Sequence, residues 1–158
     1  MSIVLIDTSV FLNILDIPQH NQNRDMVFAD MEASIRNGDT LLLPMASIIE
    51  TGNHISQVSD GRQRRQAAKR FCQRVIDAID GNAPWSAMRF WDSEQLKTWL
   101  AEFPDYAMRE LGIADLSIIK DWESVCEDLP NRRVRIWSLD DDLSSYDRNP
   151  SSKLKIKK

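Results

Sequence analysis

The sequence predicts an α/β domain with a central, mostly parallel sheet flanked by helices. Segments 3–6 and 41–43 are continuous apolar runs, which are typical of strands covered on both faces. Helical patterns alternate with these runs, as they do where helices connect parallel strands. The chain has 158 residues and is 42% hydrophobic, which is enough to bury one core. We therefore expect a single domain.

The remaining elements are predicted from shorter patterns. Segment 133–137 alternates polar and apolar residues, as a strand near a sheet edge does, and 88–91 is a weaker strand candidate. The clearest helix covers 62–80, where apolar residues recur every three or four positions and Gly81 ends the pattern. The other predicted helices cover 9–16, 21–37, 45–57, about 93–103 and 113–128.

Composition and charge indicate the domain organisation and exclude several classes of protein. We predict one domain over 1–147, followed by a basic C-terminal tail over 148–158. No apolar run is long enough to span a membrane, no secretion signal is visible, and Cys72 and Cys126 form no ligand cluster. These features predict a cytoplasmic protein. The net charge of -4 argues against coating nucleic acid through bulk positive charge but leaves a local basic patch open.

Two acidic residues are predicted at the starts of helices. Asp7 follows the first strand, with Thr8 and Ser9 beside it, so it could hold a metal ion or cap the next helix. Asp115 falls in the first turn of the 113–128 helix, on its apolar face. A carboxylate removed from water requires a cation, hydrogen-bond donors or a helix N-terminus. Metal binding and capping are therefore both open for these residues.

Further acidic residues occupy comparable places. Glu50 lies off the apolar stripe of the 45–57 helix, so its local pattern predicts an exposed glutamate. Asp140, Asp141 and Asp142 follow the 133–137 strand, at a carboxyl end if that strand is parallel. Taken alone, these three aspartates would be a turn or a solvated acidic patch.

A parallel sheet can bring these acidic positions together, because ligands collect beyond the carboxyl ends of its strands. Converging carboxylates repel one another, and a divalent cation relieves the repulsion. Oxygen ligands suit Mg²⁺ or Mn²⁺ better than Zn²⁺, and such ions can activate a water and stabilise charge on a phosphate. The sequence has no nucleophile elbow, Gly-rich phosphate loop or dinucleotide fingerprint that predicts a different chemistry.

Four short motifs occur in an order that resembles the PIN-domain family. They are IVLIDTSVFL at 3–12, PMASIIE at 44–50, GIADLSI at 112–118 and SLDDDL at 138–143. PIN domains are metal-dependent nucleases, and many small bacterial ones are toxins of toxin–antitoxin pairs. The resemblance implies a PIN-like α/β fold and an acidic pocket, and it overrides the local prediction that Glu50 is exposed.

The resemblance also implies roles for individual residues. The catalytic acids would be Asp7, Glu50, Asp115 and Asp140, and the metal ligands would be Asp7, Asp115 and either Asp140 or Asp142. The hydroxyl neighbours would be Thr8 or Ser9, and Ser138. The family more often has Thr at the position of Ser138, and the run of three aspartates leaves the fourth acid open between Asp140 and Asp142.

Basic residues are candidates for binding nucleic acid, because an acidic pocket repels a phosphate backbone. The candidates on the 62–80 helix are Arg62, Arg65, Lys69, Arg70 and Arg74, and those of the tail are Lys153, Lys155, Lys157 and Lys158. A solvated helix face and a solubilising tail are the alternatives. We expect the tryptophans of 82–111 to pack in the core rather than to stack on bases.

The sequence thus predicts a Mg²⁺- or Mn²⁺-dependent endoribonuclease that hydrolyses RNA phosphodiesters. The family resemblance adds a toxin role, an antitoxin partner and a homodimer. One alternative is an inactive PIN-like module that binds nucleic acid or protein, which the presence of all four acidic positions disfavours. Another is a metal-dependent phosphatase acting on a small molecule, which the basic helix disfavours.

Overall fold

A five-stranded sheet forms the centre of the protein in the computed structural model, which describes residues 1–150. The strands are β1 (Ile3–Ile6), β2 (Thr40–Leu43), β3 (Trp85–Ala87), β4 (Val134–Trp137) and β5 (Asp147–Arg148). They lie in the order β3-β2-β1-β4-β5, and β5 pairs antiparallel with β4 while the other pairings are parallel. The predicted α/β class with a mostly parallel sheet is confirmed.

Helices connect these strands and flank the sheet. They are α1 (Thr8–Ile14), α2 (Arg24–Arg36), α3 (Met45–Ser56), α4 (Gly61–Ile79), α5 (Ser93–Met108), α6 (Ile113–Asp128) and α7 (Asp141–Ser144). No helix of residues 1–150 is both long and apolar enough to cross a membrane.

The central strand β1 is buried on both faces, as its continuous apolar run predicts. Val4 and Ile6 pack into one buried cluster together with Phe11 of α1. Ile3 and Leu5 pack into a second cluster, to which α6 and β4 contribute. The strand order changes side at β1, because β2 and β3 are added on one side of it and β4 and β5 on the other. Open α/β sheets bind ligands at the carboxyl ends of the strands at such a point.

The predicted strand at 88–91 is wrong. The strand is Trp85–Ala87, which begins immediately after Pro84. Trp85 is buried and meets Phe11 edge to face, with ring centroids 5.8 Å apart, so it holds this segment on the sheet. The Met88 amide donates to the carbonyl of Leu43, and Phe90 is exposed beyond it.

Several helix ends also differ from the prediction. α1 ends at Ile14, and α2 begins at Arg24, because the connecting segment 15–23 turns sharply. Asp16 and Gln19 take left-handed φ values of 56° and 71°, a conformation that pattern analysis does not expect of these residue types. α5 continues through Pro104 to Met108, past its predicted end.

The described part of the predicted tail begins inside the sheet. Arg148 belongs to β5, and its guanidinium donates to the carbonyl oxygens of Cys126, Leu129 and Arg132 at 2.8 Å. The sheet therefore extends one residue past the predicted boundary at 147. The tail lysines Lys153, Lys155, Lys157 and Lys158 lie outside the described residues.

Candidate acidic active site

A cleft of about 370 Å³ opens at the carboxyl ends of β1 and β4. It is lined by the carboxylates of Asp7, Glu50, Asp115 and Asp140, which come from four separate segments of the chain. The structure therefore brings together the four acidic residues that the sequence singled out. Asp142 lies on the wall of a neighbouring cavity instead.

Asp7 is the most buried of these acids, with 7% of its surface exposed. It stands at the end of β1, where its amide donates to the carbonyl of Trp137 at 3.0 Å. Its side chain makes no capping bond to α1. Oδ2 of Asp7 instead accepts hydrogen bonds from Oγ of Ser9 at 2.9 Å and Oγ of Ser138 at 2.7 Å. The carboxylate is thus held by hydroxyls rather than used as a helix cap.

The two serines also tie Asp7 to the loop after β4. Oγ of Ser138 accepts from the amide of Asp140, and Oγ of Ser9 accepts from the amide of Leu139, each at 3.0 Å. Each hydroxyl therefore donates to the same carboxylate oxygen while accepting from the backbone. This arrangement fixes the rotamer of Asp7 and the position of Asp140 relative to it.

Glu50 reaches the cleft because the first turns of α3 are fastened to β1. Oγ of Ser47 donates to the carbonyl of Ile6 at 2.7 Å, in a fully buried contact. One oxygen of Glu50 accepts from Oγ1 of Thr8 at 3.0 Å, and the residue is half-buried. Burial raises the pKa of Glu50, the Thr8 hydrogen bond opposes this, and the charges of Asp115 and Asp7 raise it further.

Asp115 sits in the first turn of α6. Its Oδ2 accepts from the amide of Gly112 at 3.1 Å, so it stabilises the start of α6 as well as lining the cleft. Burial raises the pKa of this carboxyl, the Gly112 amide opposes the shift, and the charges of Asp7, Asp140 and Asp142 raise it further. The carboxylates of the cleft therefore destabilise one another's ionised forms.

The structure distinguishes Asp140 from Asp142. Asp140 lines the acidic cleft, and its Oδ1 accepts from the amide of Asp142 at 2.8 Å. Asp142 is exposed and lines the neighbouring cavity of about 260 Å³ together with Arg109 and Tyr146.

We therefore expect Asp140→Asn to reduce cleavage at saturating Mn²⁺ by at least ~10-fold, which is about 1.4 kcal/mol of barrier. Asp142→Asn should reduce it less, because Asp142 lines the neighbouring cavity and is not among the residues that line the cleft. Initial rates of the two variants on one RNA substrate provide the comparison. A larger loss for Asp142→Asn would show that Asp142 is the fourth acid.

The donor set of the cleft fits a hard divalent cation, since its charged ligands are all carboxylates. Burial and, after it, repulsion by neighbouring carboxylates raise the pKa of Glu50 and of Asp115, and a bound cation would relieve the repulsion. In the described part of the chain, no group of three or more acidic, histidine or cysteine side chains is arranged so that it could hold a metal ion. Mg²⁺ usually keeps several waters and takes only one or two carboxylates directly, so the set is compatible with such an ion.

The predicted basic residues of α4 divide into two groups. Arg62, Arg65 and Lys69 are exposed. Arg70 is also exposed, but it donates to the carbonyls of Leu15 and Asp16 at 3.0 and 2.9 Å, just after the end of α1. Arg74 pairs with Asp77 one turn later, at 3.4 Å.

Two histidines line the cleft that were not among the predicted site residues. His20 and His54 both line it, and their ring centroids lie 4.8 Å apart with an interplanar angle of 60°. The position of His54 one helical turn after Glu50 indicates from the sequence alone that it could reach the same site. Nothing local to His20 indicates this location, because it depends on the path of the 15–23 segment.

Comparisons with known proteins give similarity to solved structures but not to family models or curated proteins. No protein-family model matches the chain, and no curated protein matches it. One solved structure that resembles it is a chain of the crystal structure of VapBC2 from Rickettsia felis bound to a DNA fragment from their promoter. The similarity covers 86% of this chain and 99% of that chain, with 14% sequence identity and a TM-score of 0.49.

Proposed function

We propose that the protein is a Mg²⁺- or Mn²⁺-dependent endoribonuclease of the PIN-domain type. The observation that carries this proposal is the convergence of four carboxylates, from four separate segments, on one cleft at the carboxyl ends of β1 and β4. Their order along the chain is also that of the PIN-like motifs in the sequence. A cluster of buried or half-buried acids is costly to a fold, so its presence calls for a functional reason.

Each acid has a proposed role. Asp7, Asp115 and Asp140 would hold the metal ion, directly or through water. When bound, Mg²⁺ or Mn²⁺ lowers the pKa of a water molecule and stabilises negative charge on a phosphate. Glu50 would orient the attacking water and accept its proton, a role that its raised pKa favours. Ser9 and Ser138 would keep Asp7 in place through their hydrogen bonds.

A polymeric substrate is the proposed class because exposed basic residues follow one side of α4. Arg62, Arg65 and Lys69 could contact successive phosphates without giving up an internal contact in the protein. We further propose an antitoxin-type partner and a homodimer. Exposed apolar side chains on α4 and α5 support such contacts: Ile76, Ile79, Leu96 and Leu100.

A comparison of substrate classes tests the proposed function. The purified protein is incubated with an RNA oligomer, with a DNA oligomer of the same sequence and with p-nitrophenyl phosphate, each with Mn²⁺, with Mg²⁺ and with EDTA. We expect internal cleavage of RNA that requires the metal. Hydrolysis of only the small phosphate ester would instead indicate a phosphatase. Binding of RNA without cleavage under any metal condition would indicate an inactive module.

Charge reversal on α4 should weaken RNA binding in a predictable way. Arg65→Glu and Lys69→Glu each remove a cation from the exposed face, so affinity and the slope of its salt dependence should both fall. Mn²⁺ affinity and thermal stability should stay close to wild type. Fluorescence anisotropy at several salt concentrations measures the RNA affinity and the slope of its salt dependence.

Arg70→Glu provides the matched contrast, because it removes two hydrogen bonds to the end of α1. We expect it to lower stability by roughly 1–3 kcal/mol in addition to any effect on binding. An unchanged salt slope in Arg65→Glu and Lys69→Glu would mean that this face of α4 is only solvated.

A further inference from the structure

The chain contains two histidines, and the structure brings both to the same cleft. His20 lies in the 15–23 segment and His54 in the last turns of α3. Their ring centroids are 4.8 Å apart. The imidazoles therefore meet where the four acids also converge, although neither histidine is needed to hold those acids in place.

The backbone around His20 is held in an unusual conformation. Gln19, immediately before it, has a left-handed φ of 71°, which is unfavourable for a residue with a side chain. The segment is fastened to the end of α1 through Asn13, whose Oδ1 accepts from the amide of Asn23 at 3.0 Å. Arg24 adds hydrogen bonds to the carbonyls of Asn13 and Ile14 at 2.9 and 2.8 Å. His20 is thus presented to His54 by an anchored loop.

The separation of the two rings is close to that of two imidazoles that bind one ion. Two imidazoles that each bind a cation at about 2.1 Å have ring centroids roughly 5 Å apart, and the observed separation is 4.8 Å. In its neutral form each imidazole has one ring nitrogen with a free lone pair that can bind a cation. The carboxylates of the same cleft add a negative potential that attracts cations.

We propose that His20 and His54 form a second cation site, which takes a borderline divalent ion of the Zn²⁺ class. Imidazole nitrogen binds such ions well, whereas carboxylate oxygens favour Mg²⁺ or Mn²⁺. The pair supplies two protein ligands, and water completes the coordination. A cation at this site links the 15–23 segment to α3 across the acidic cleft. The inference does not depend on whether the protein cleaves RNA.

Nuclear magnetic resonance of the imidazoles tests the proposal directly, because two histidines give two sets of ring signals. The experiment uses the full chain carrying Cys72→Ser, since Cys72 is an exposed thiol that could also bind Zn²⁺. On titration with Zn²⁺ we expect both sets of ring signals to change together and to saturate at one equivalent. Mg²⁺ at the same concentration should leave the imidazole nitrogen shifts nearly unchanged.

Calorimetry on variants provides the second measurement. His20→Gln and His54→Gln, each in the Cys72→Ser background, should weaken Zn²⁺ binding by at least ~10-fold, which is about 1.4 kcal/mol. Asp7→Asn, a matched change among the carboxylates, should alter Zn²⁺ affinity by less than His20→Gln does.

Three results would overturn the proposal. They are the absence of Zn²⁺ binding, a loss confined to one of the two histidine variants, and a larger loss in Asp7→Asn than in His20→Gln. The imidazole nitrogen shifts of the Cys72→Ser protein decide the matter even if a histidine variant folds poorly, because they report binding at both rings without any substitution in the cleft.

Discussion

Asp7→Asn and Asp115→Asn will each reduce metal-dependent RNA cleavage by at least ~100-fold, which is about 2.7 kcal/mol of barrier. Each change keeps the shape of the side chain and removes the charge that would hold the cation. Asp7 should retain its place, because an amide oxygen can still accept from Ser9 and Ser138. The measurement is kcat/KM on one RNA oligomer at saturating Mn²⁺.

Neither variant should be less stable than the wild type in EDTA. Removing one carboxylate from the cleft takes away a repelling charge, which adds to burial in raising the pKa of Glu50 and Asp115. Asp105→Asn is the matched control, because Asp105 is exposed on α5 and lies outside the residues that line the cleft. Cleavage that survives in Asp7→Asn while the control behaves as wild type would remove Asp7 from the active site.

Asp121→Asn will stabilise the protein at neutral and alkaline pH. Asp121 is buried in α6 with 8% of its surface exposed, and its Oδ2 has no hydrogen-bond partner among the described residues. Burial raises its pKa to about 7, and the nearby indole of Trp91 opposes this increase in part. That indole nitrogen lies close enough to influence the carboxyl, but it is also without a well-aligned hydrogen bond within residues 1–150.

The sign of the effect follows from proton linkage. The folded state holds the proton of Asp121 up to about pH 7, whereas the unfolded chain releases it near the ordinary aspartate pKa of 3.8. The stability contributed by protonation is therefore complete below about pH 4 and is lost as the pH rises towards 7. The variant has no such proton to lose, so above pH 7 it should gain roughly 2–4 kcal/mol over the wild type.

Urea unfolding at pH 5, 6, 7 and 8 measures this difference, with Asp105→Asn as the control for loss of one negative charge. The advantage of Asp121→Asn should be largest at pH 8 and smallest at pH 5. A constant difference between variant and wild type across this range would mean that Asp121 titrates normally in the folded state.

Much of the architecture follows from local patterns in the sequence. β1 and β2 contain apolar runs of the kind that is typical of buried strands, and the 113–128 helix begins and ends at the predicted residues. The strand at Trp85–Ala87 was missed because three residues show no periodicity, and only the contact of Trp85 with Phe11 reveals that it is buried. The two-residue strand β5 is too short for any pattern.

The candidate site was predictable to a different extent at each residue. Asp7 and Asp140 follow strands, so their place at the sheet edge could be inferred from position alone. The local pattern of Glu50 predicts exposure, whereas the residue is half-buried and accepts a hydrogen bond from Thr8, which is distant in sequence. The meeting of His20 with His54 depends on left-handed residues at 16 and 19, which no periodicity encodes.

Thermal unfolding with and without Mn²⁺ tests the metal site most directly, since it requires no knowledge of the RNA substrate. The comparison is between the wild type and the Asp7→Asn/Asp115→Asn double variant, each in EDTA and in excess Mn²⁺. At 100 times Kd, Mn²⁺ should stabilise the wild type by about 2.7 kcal/mol, or roughly 5–10 °C in Tm. The double variant should show no such shift. Equal stabilisation of the two proteins by Mn²⁺ would contradict the account, because the ion would then bind somewhere other than this acidic cleft.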